Sequence, residues 1–113
     1  MRITTLDTEK NKEVCVGTFD PKTKIFSRKV GSNHYMVKEK GYGIQSDVLI
    51  ELAHLDCEKI QLITEAQILE YPLSLVLSKP AKDYGHGKQA FVTVKDAIIV
   101  KKHISKPSWL RNG

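Results

Sequence analysis

Along most of the chain, apolar residues alternate with polar ones or form short runs, a pattern typical of a protein built from short strands. Residues 13–19 (E-V-C-V-G-T-F) and 24–30 (K-I-F-S-R-K-V) are rich in β-branched and apolar side chains and predict two strands. The segment 20–23 (D-P-K-T) predicts a turn, because proline presets φ and aspartate accepts hydrogen bonds at the first turn position. We therefore expect a β-hairpin here, with residues 3–6 adding an edge strand.

A helix is predicted over about 46–57. Its apolar residues fall on one side at helical spacing: Ile44, Val48, Leu49, Leu52 and Leu55. Ser46 is the expected N-cap, and Asp47 places a negative charge in the first turn, where the helix dipole favours it. The preceding Gly-Tyr-Gly at 41–43 predicts a bend in the backbone.

The second half of the chain predicts further strands and one ambiguous segment. Residues 60–65 and 90–94 read as strands, and 96–100 either continues the second or turns back. In 67–77, Pro72 excludes a helix interior and a central strand. This leaves a helix that begins near Pro72 and ends before Pro80, or an edge strand. Residues 80–87 are expected to form a loop.

These elements predict an α+β fold: a small, mostly antiparallel sheet of about five or six short strands, with the helix at 46–57 packed on one face. The 113 residues suit one domain, which we expect over 1–104, followed by a basic tail at 105–113. Hydrophobic residues make up 41% and charged residues 27%, as in folded globular proteins. No apolar run approaches the roughly 18 residues of a membrane span, and no signal-peptide core is visible. A membrane protein, a secreted precursor and a multidomain enzyme are not expected.

Charge is segregated along the chain, which has a formal net charge of +5. Residues 1–43 carry a net +4, residues 44–78 a net −5 and residues 79–113 a net +6. Such segregation predicts a positive face that attracts polyanions, unless the acidic middle packs beside the basic ends and neutralises them. Because only three of the basic residues are arginines, we expect nucleic-acid contacts to be lysine to phosphate rather than arginine to base edges.

The two cysteines, Cys15 and Cys57, form no C-x-x-C pair, so a zinc knuckle or a thioredoxin-type motif is excluded. We expect both to be buried free thiols in a protein of the reducing cytoplasm.

The first candidate site is the segment Y-G-H-G-K-Q, with Tyr84, Gly85, His86, Gly87, Lys88 and Gln89. The glycines allow close approach of the backbone to a ligand, and Lys88 supplies a point charge for a phosphate or carboxylate. The spacing is not that of a Walker A loop. The alternative is a tight turn before the next strand, with a solvated histidine.

The second candidate site combines His34 with Tyr42, Gln45 and Ser46, just before the predicted helix. A helix N-terminus favours anions, and Gln45 and Ser46 would add an amide and a hydroxyl group. The alternative is a connector in which Tyr42 covers the core.

General acid–base catalysis of phosphoester chemistry would be available to His34 and His86 if the sheet brings their loops together. The four histidines show no closely spaced pair, and neither a metal nor a cofactor is expected.

The third candidate site is a cluster of basic residues with one aromatic in the last part of the chain. Such groups bind single strands by charge and stacking, and the residues are Lys95, Lys101, Lys102, Lys106, Trp109 and Arg111. The alternative is a solubilising charged tail.

The span 34–91 runs H-Y-M, G-Y-G-I-Q-S-D-V-L-I-E-L, C-E-K-I-Q-L-I and G-H-G-K-Q-A-F. This sequence pattern resembles that of small uncharacterised proteins encoded by bacterial phages and mobile elements. The resemblance implies a bacterial cytoplasmic setting and a role in phage replication, DNA handling or interference with host defence. It assigns no catalytic role to any residue.

Three functions follow as hypotheses. The leading one is a small basic module that binds nucleic acid or another phosphate-bearing ligand. The alternatives are a phosphoester hydrolase or nuclease that uses His34 and His86, and an inhibitor or adaptor that binds a host protein. No membrane partner is expected, and the sequence leaves the oligomeric state open.

Overall fold

Ten strands and two helices are present in the residues that the computed structural model describes, which are 1–7, 9–31, 35–36, 41–84 and 87–102, with only the backbone at 35–36 and 101–102. The strands are β1 (Arg2–Asp7), β2 (Lys12–Asp20), β3 (Ile25–Lys29), β4 (Tyr35–Met36), β5 (Gly41–Gln45), β6 (Lys59–Ile63), β7 (Gln67–Pro72), β8 (Ala81–Asp83), β9 (Lys88–Thr93) and β10 (Ile98–Lys102). The helices are α1 (Ser46–His54) and α2 (Leu73–Leu77), and a 3₁₀ turn spans Val94–Asp96. The predicted α+β class is confirmed, with more strands than the five or six expected.

The strands form two sheets, where a single sheet was predicted. The six-stranded sheet has the order β1-β2-β3-β6-β7-β10, and the smaller sheet the order β4-β5-β9-β8. Among the pairs described, β3 and β6 run parallel and all the others antiparallel, so the prediction of a mostly antiparallel arrangement is confirmed. The parallel pair arises because the chain leaves the larger sheet after β3, builds β4, β5 and α1, and only then returns as β6.

The β2–β3 hairpin and the edge position of β1 are as predicted. The Asp20 carboxylate accepts a 2.9 Å hydrogen bond from the backbone N–H of Lys22, and the Asp20 carbonyl oxygen accepts one of 2.7 Å from that of Lys24. Lys24 closes the turn in the left-handed region, with φ 61°. Its carbonyl oxygen in turn accepts the N–H of Glu58, so this turn also aligns β6 beside β3.

One continuous core joins the two sheets and both helices. The larger sheet contributes Ile3, Val16, Phe19, Phe26, Ile60, Leu62, Leu69 and Tyr71; the smaller sheet contributes Tyr42, Ile44, Ala90 and Val92. Helix α1 adds Val48, Leu49 and Leu52 and contacts β1, β5 and β9, while α2 adds Leu73 and Val76. Since all these side chains leave water together, the two sheets are parts of one hydrophobic unit.

Helix α1 is shorter than predicted and is capped differently. The N-cap is Gln45, so Ser46 is the first helical residue and its predicted capping role is wrong. The helix ends at His54, not 57, because Asp56 takes φ 63°. The N–H groups of Asp56 and Cys57 bond back to the carbonyl oxygens of Ala53 and Leu52, the pattern of a Schellman motif.

The bend predicted at Gly-Tyr-Gly is absent, because Gly41 and Gly43 lie inside strand β5. A Cβ atom at Gly41 would overlap the carbonyl oxygen of Val92 and lie 2.7 Å from the Phe91 ring. The missing side chain at Gly41 therefore allows close packing within the smaller sheet, and no turn is formed there.

The ambiguous segment around Pro72 contains a strand followed by a helix. Pro72 is the last residue of β7, and α2 begins directly after it, as one of the two alternatives proposed. The edge-strand alternative is wrong, since β7 lies between β6 and β10. The loop predicted at 80–87 contains the short strand β8, and 96–100 turns back to become β10 beside β7.

Cys57 is buried, as predicted, but Cys15 is exposed. Next to Cys15 it is Val16 that turns into the core, at an irregularity in the β1–β2 register. The prediction of a buried thiol at Cys15 is therefore wrong.

Candidate functional site

The segments that carry the first two candidate sites are neighbouring strands. Strands β5 and β9 pair antiparallel, with Gln45 opposite Gln89 and Ile44 opposite Ala90. The end of β5, where α1 begins, therefore lies beside the start of β9. Four of the predicted residues, two from each segment, line one groove: Gln45, Ser46, Gly87 and Lys88.

This groove has a volume of about 790 Å³ and lies between the smaller sheet and the first three strands of the larger one. Its other wall is formed by Thr5, Leu6, Asp7, Glu9, Val14, Val16 and Arg28, and Asp47 completes the lining beside Ser46. The volume falls within the range of small-molecule sites. Leu6 and Val14 are 55% and 39% exposed, so the groove presents apolar surface to whatever enters it.

The charges along the groove are mixed. Two cations, Arg28 and Lys88, and three carboxylates, from Asp7, Glu9 and Asp47, line it. Arg28 is half-buried, and burial lowers the pKa of its guanidinium group without removing its charge. The groove therefore offers anchoring points for an anionic group but is not a uniformly positive surface.

At the groove, the N-terminus of α1 already interacts with a carboxylate of the protein, that of Asp47. Asp47 accepts a 2.9 Å hydrogen bond from the N–H of Val48 through one oxygen and a 2.6 Å bond from the Thr5 hydroxyl through the other. A phosphate placed directly at this helix end would face the Asp47 charge. An anion in the groove is therefore better placed toward Lys88 and Arg28.

The side chain of Gln45 contains an unsatisfied polar atom. Its Oε1 is buried and has no hydrogen-bond donor among the described residues. An acceptor left in this state costs roughly 1–3 kcal/mol. Such atoms are rare in native proteins, and this one belongs to a residue at the border of the groove.

The remaining predicted residues of these segments lie elsewhere. Tyr42 is buried in the core, as its alternative interpretation proposed. The Gln89 side chain covers Gly43, and the ring of Tyr84 packs 5.4 Å from that of Phe91. Gly87 takes φ 91°, the left-handed region that glycine tolerates. His34, Gly85 and His86 are outside the described residues.

The third candidate site lies away from the groove. Lys95 is exposed in the 3₁₀ turn, while Lys101 and Lys102 belong to β10. Strand β10 is the edge of the six-stranded sheet opposite to β1, which lines the groove, and the described residues of this third site are not among the lining residues. Lys106, Trp109 and Arg111 are outside the described residues. The described residues of this third site therefore do not belong to the groove, and their role in binding nucleic acid stays a prediction.

Sequence reasoning missed the whole opposite wall of the groove, including Val14, Val16 and Arg28. In the sequence they are ordinary members of two strands, and only the packing of a second sheet against β1–β3 turns them into a groove wall. Arg28 lies between Ser27 and Lys29 at the polar end of its strand, so the sequence carries no signal that marks it.

Within the described ranges, no group of three or more His, Cys, Asp or Glu side chains is placed to hold a metal ion. No helix found there is long and apolar enough to cross a bilayer. Comparisons with protein families, with curated proteins and with solved structures found no match to the chain.

Proposed function

We propose that this protein binds a small phosphate-bearing ligand in the groove between its two sheets. The observation that carries the proposal is the convergence of Lys88 and Gly87 from one sheet with Arg28 from the other on a single groove. Lysine binds phosphate as a point charge, and arginine binds it through two parallel N–H bonds. The two cations come from separate parts of the chain and meet at one groove whose volume suits a small molecule. This convergence supports the binding of an anion there.

The mixed charge of the groove favours a small ligand over a long nucleic-acid strand. A strand that crossed the groove would carry successive phosphates past Asp7, Glu9 and Asp47, and each approach would be repulsive. A ligand with one phosphate group avoids this repulsion and leaves the carboxylates free to accept hydrogen bonds from its hydroxyl or amino groups.

Calorimetric titration tests the proposal with inorganic phosphate, ribose 5-phosphate, AMP and a single-stranded oligonucleotide as probes. We expect binding of at least one of the small phosphate compounds, weakened about tenfold in Lys88→Ala through loss of about 1.4 kcal/mol of binding free energy. Lys22→Ala is the matched control, because it removes the same charge from an exposed turn outside the groove. Arg28→Lys keeps the charge but loses the paired N–H geometry, and should also weaken binding.

The proposal is refuted if none of the small probes binds, or if Lys22→Ala weakens binding as much as Lys88→Ala does. Strong binding of the oligonucleotide alone, falling steeply with salt, would instead support the polymeric form of the hypothesis.

A protein-binding role is the second candidate function, and strand β10 is the observation that favours it. Ile98, Ile99 and Val100 are each about half exposed on this edge of the six-stranded sheet. An exposed apolar edge is a common pairing site for another strand. A dimer detected by light scattering and dissociated by Ile99→Lys would support this role, whereas a monomer at high concentration would count against it.

The hydrolase hypothesis stays a prediction, because His34 and His86 are outside the described residues. The similarity to proteins of phages and mobile elements likewise stays a prediction. If the groove binds phosphate compounds, a role in nucleotide or DNA handling would agree with that setting.

A further inference from the structure

The lining of the groove contains more acidic than basic groups, and a phosphate alone does not match this balance. Three carboxylates stand against two cations, so the lining has a formal charge of −1 before any ligand enters. A phosphate group adds up to two further negative charges, and the carboxylates repel it. A ligand that also carried a positive group would offset this repulsion.

Side chains of the larger sheet place both kinds of charge on the side of the sheet that faces the groove. Ile3 in β1 is fully buried in the core, and Asp7 lies on the same side of the strand because side chains alternate. In β3, Arg28 shares its side of the strand with the buried Phe26 in the same way. The acidic and the basic groups therefore belong to one wall.

Along this wall, the acidic and basic groups occupy different positions. Asp7 ends β1 and Glu9 lies in the turn to β2, so both are at the tip of the β1–β2 hairpin. The strand register places Arg28 toward the beginning of β1, with Val14 and Val16 between it and the tip. The wall thus passes from an acidic tip across an apolar stretch to a cation.

At the acidic tip, the Glu9 carboxylate is available to a ligand. Both oxygens of Asp47 already accept hydrogen bonds, and one oxygen of Asp7 accepts two from backbone N–H groups of the turn. Within the described ranges, the Glu9 carboxylate forms neither a hydrogen bond nor a salt bridge, and the neighbouring Lys10 and Lys12 form no salt bridge and do not line the groove. The tip therefore offers carboxylate oxygens to a cationic group.

We infer that the ligand of the groove is a zwitterion, in which an apolar linker joins the phosphate to a protonated amine. The phosphate lies toward Arg28 and Lys88, and Glu9 and Asp7 bind the amine. An ammonium group donates three hydrogen bonds and is attracted by both carboxylates, whereas a hydroxyl group has one donor and no charge. The inference rests on the proposed function, since it adds a second charged group to the phosphate compound.

The test compares aminohexyl phosphate with hexyl phosphate, which has the same chain and phosphate but no amine. In calorimetric titrations we expect the wild-type protein to bind the amine compound about tenfold more tightly, a difference of about 1.4 kcal/mol. In Glu9→Gln, which keeps the size of the side chain but removes its charge, this ratio should fall to about three or less. The melting temperature of Glu9→Gln should equal that of the wild type, because the carboxylate has no partner among the described residues.

Glu13→Gln is the matched control, since Glu13 is exposed on β2 outside the groove lining, and its ratio should stay near ten. Equal binding of the two compounds by the wild type, or an equal loss of preference in both variants, would overturn the inference and leave the proposed function standing. Failure of every phosphate compound to bind would instead overturn the proposed function.

Aminoethyl phosphate tests the placement of the two charges. Its short linker does not cross the apolar stretch at Val14 and Val16, so we expect it to bind more weakly than aminohexyl phosphate. Tighter binding of the short compound would also overturn the inference, because the acidic tip and Arg28 would then not act at separate ends of the ligand.

Discussion

The hydroxyl group of Tyr71 donates a 2.9 Å hydrogen bond to the backbone carbonyl oxygen of Thr93. Tyr71 lies in the six-stranded sheet and Thr93 ends β9 of the smaller one, so this bond ties the two sheets together. Tyr71 is fully buried. Burial, followed by the nearby Tyr42 and Asp96, raises the pKa of its phenol far above the usual value, which keeps the donor proton in place.

Replacing Tyr71 with Phe should destabilise the protein by about 1–2 kcal/mol, because the Thr93 carbonyl oxygen loses its donor in a partly buried position. Urea denaturation followed by circular dichroism measures the change. Tyr84→Phe is the control, since the Tyr84 ring packs on Phe91 at the surface of the smaller sheet; its effect should stay within about 0.5 kcal/mol. Equal losses in the two variants would contradict the role given to the Tyr71 bond.

Asp96 should make stability depend on pH in the acid range. The Lys79 ammonium group, 2.9 Å away, and then the hydrogen bonds from Thr93 hold the pKa of the Asp96 carboxyl below its usual value. A depressed folded-state pKa contributes stability above the unfolded-state pKa near 4, and this stability is lost as pH falls through the folded value.

We therefore expect Asp96→Asn to be less stable than the wild type by about 0.5–1 kcal/mol at pH 7, with the difference vanishing near pH 2. Thermal unfolding at a series of pH values provides the measurement. Glu65→Gln, in the exposed turn between β6 and β7, makes the same change of charge as a control. A stability difference between Asp96→Asn and the wild type that stays constant over the whole pH range would contradict the role given to the ionised Asp96 carboxyl group.

Gly41→Ala should cost about 1–3 kcal/mol, because the added methyl group would overlap the carbonyl oxygen of Val92 and the ring of Phe91. The backbone oxygen cannot move without disturbing the β5–β9 pairing. At Gly31 no heavy atom lies within 4 Å of the position that an added methyl group would take, so Gly31→Ala should change stability by less than about 0.5 kcal/mol. Chemical denaturation of both variants tests the contrast, and a neutral Gly41→Ala would show that the strands can separate to accept it.

The two cysteines should react at very different rates. Cys15 is exposed, and a hydrogen bond from Arg2 lowers the pKa of its thiol, which increases the thiolate fraction at neutral pH. Cys57 is buried, and burial raises its pKa. Alkylation with iodoacetamide, followed by mass spectrometry of the peptides, should label Cys15 at least tenfold faster. Arg2→Gln should slow the labelling of Cys15, and similar rates for both cysteines would refute the assignment.

Local features of the fold were predictable from the sequence. The β2–β3 hairpin follows from the chemistry of its turn, and α1 follows from apolar spacing together with Asp47 in its first turn. The division into two sheets was not predictable, because it depends on which strands pair over long separations. Gly41 shows the limit of local reasoning, since its small size serves packing against Phe91 rather than a turn.

The candidate site was predictable only in part, because one wall of the groove depends on how the two sheets pack together. Gln45 and Lys88 stand out because each lies in a short glycine-bearing segment, and the pairing of β5 with β9 brings these segments together. Arg28 and Val14 form the opposite wall only because another sheet packs there, and strand patterning alone cannot place them at a groove.

The smaller sheet is built from two separate stretches of the chain. Strands β4 and β5 come from the excursion between β3 and β6, and β8 and β9 come from the excursion between β7 and β10. The two long connections of the larger sheet therefore contain the strands of the smaller one, and the pairing of β10 with β7 closes the second connection. Because closing such long connections must precede the contacts that stabilise them, folding should be slow for a chain of this length and should occur as one cooperative step. Amide hydrogens in the centres of both sheets should then exchange through the same global opening.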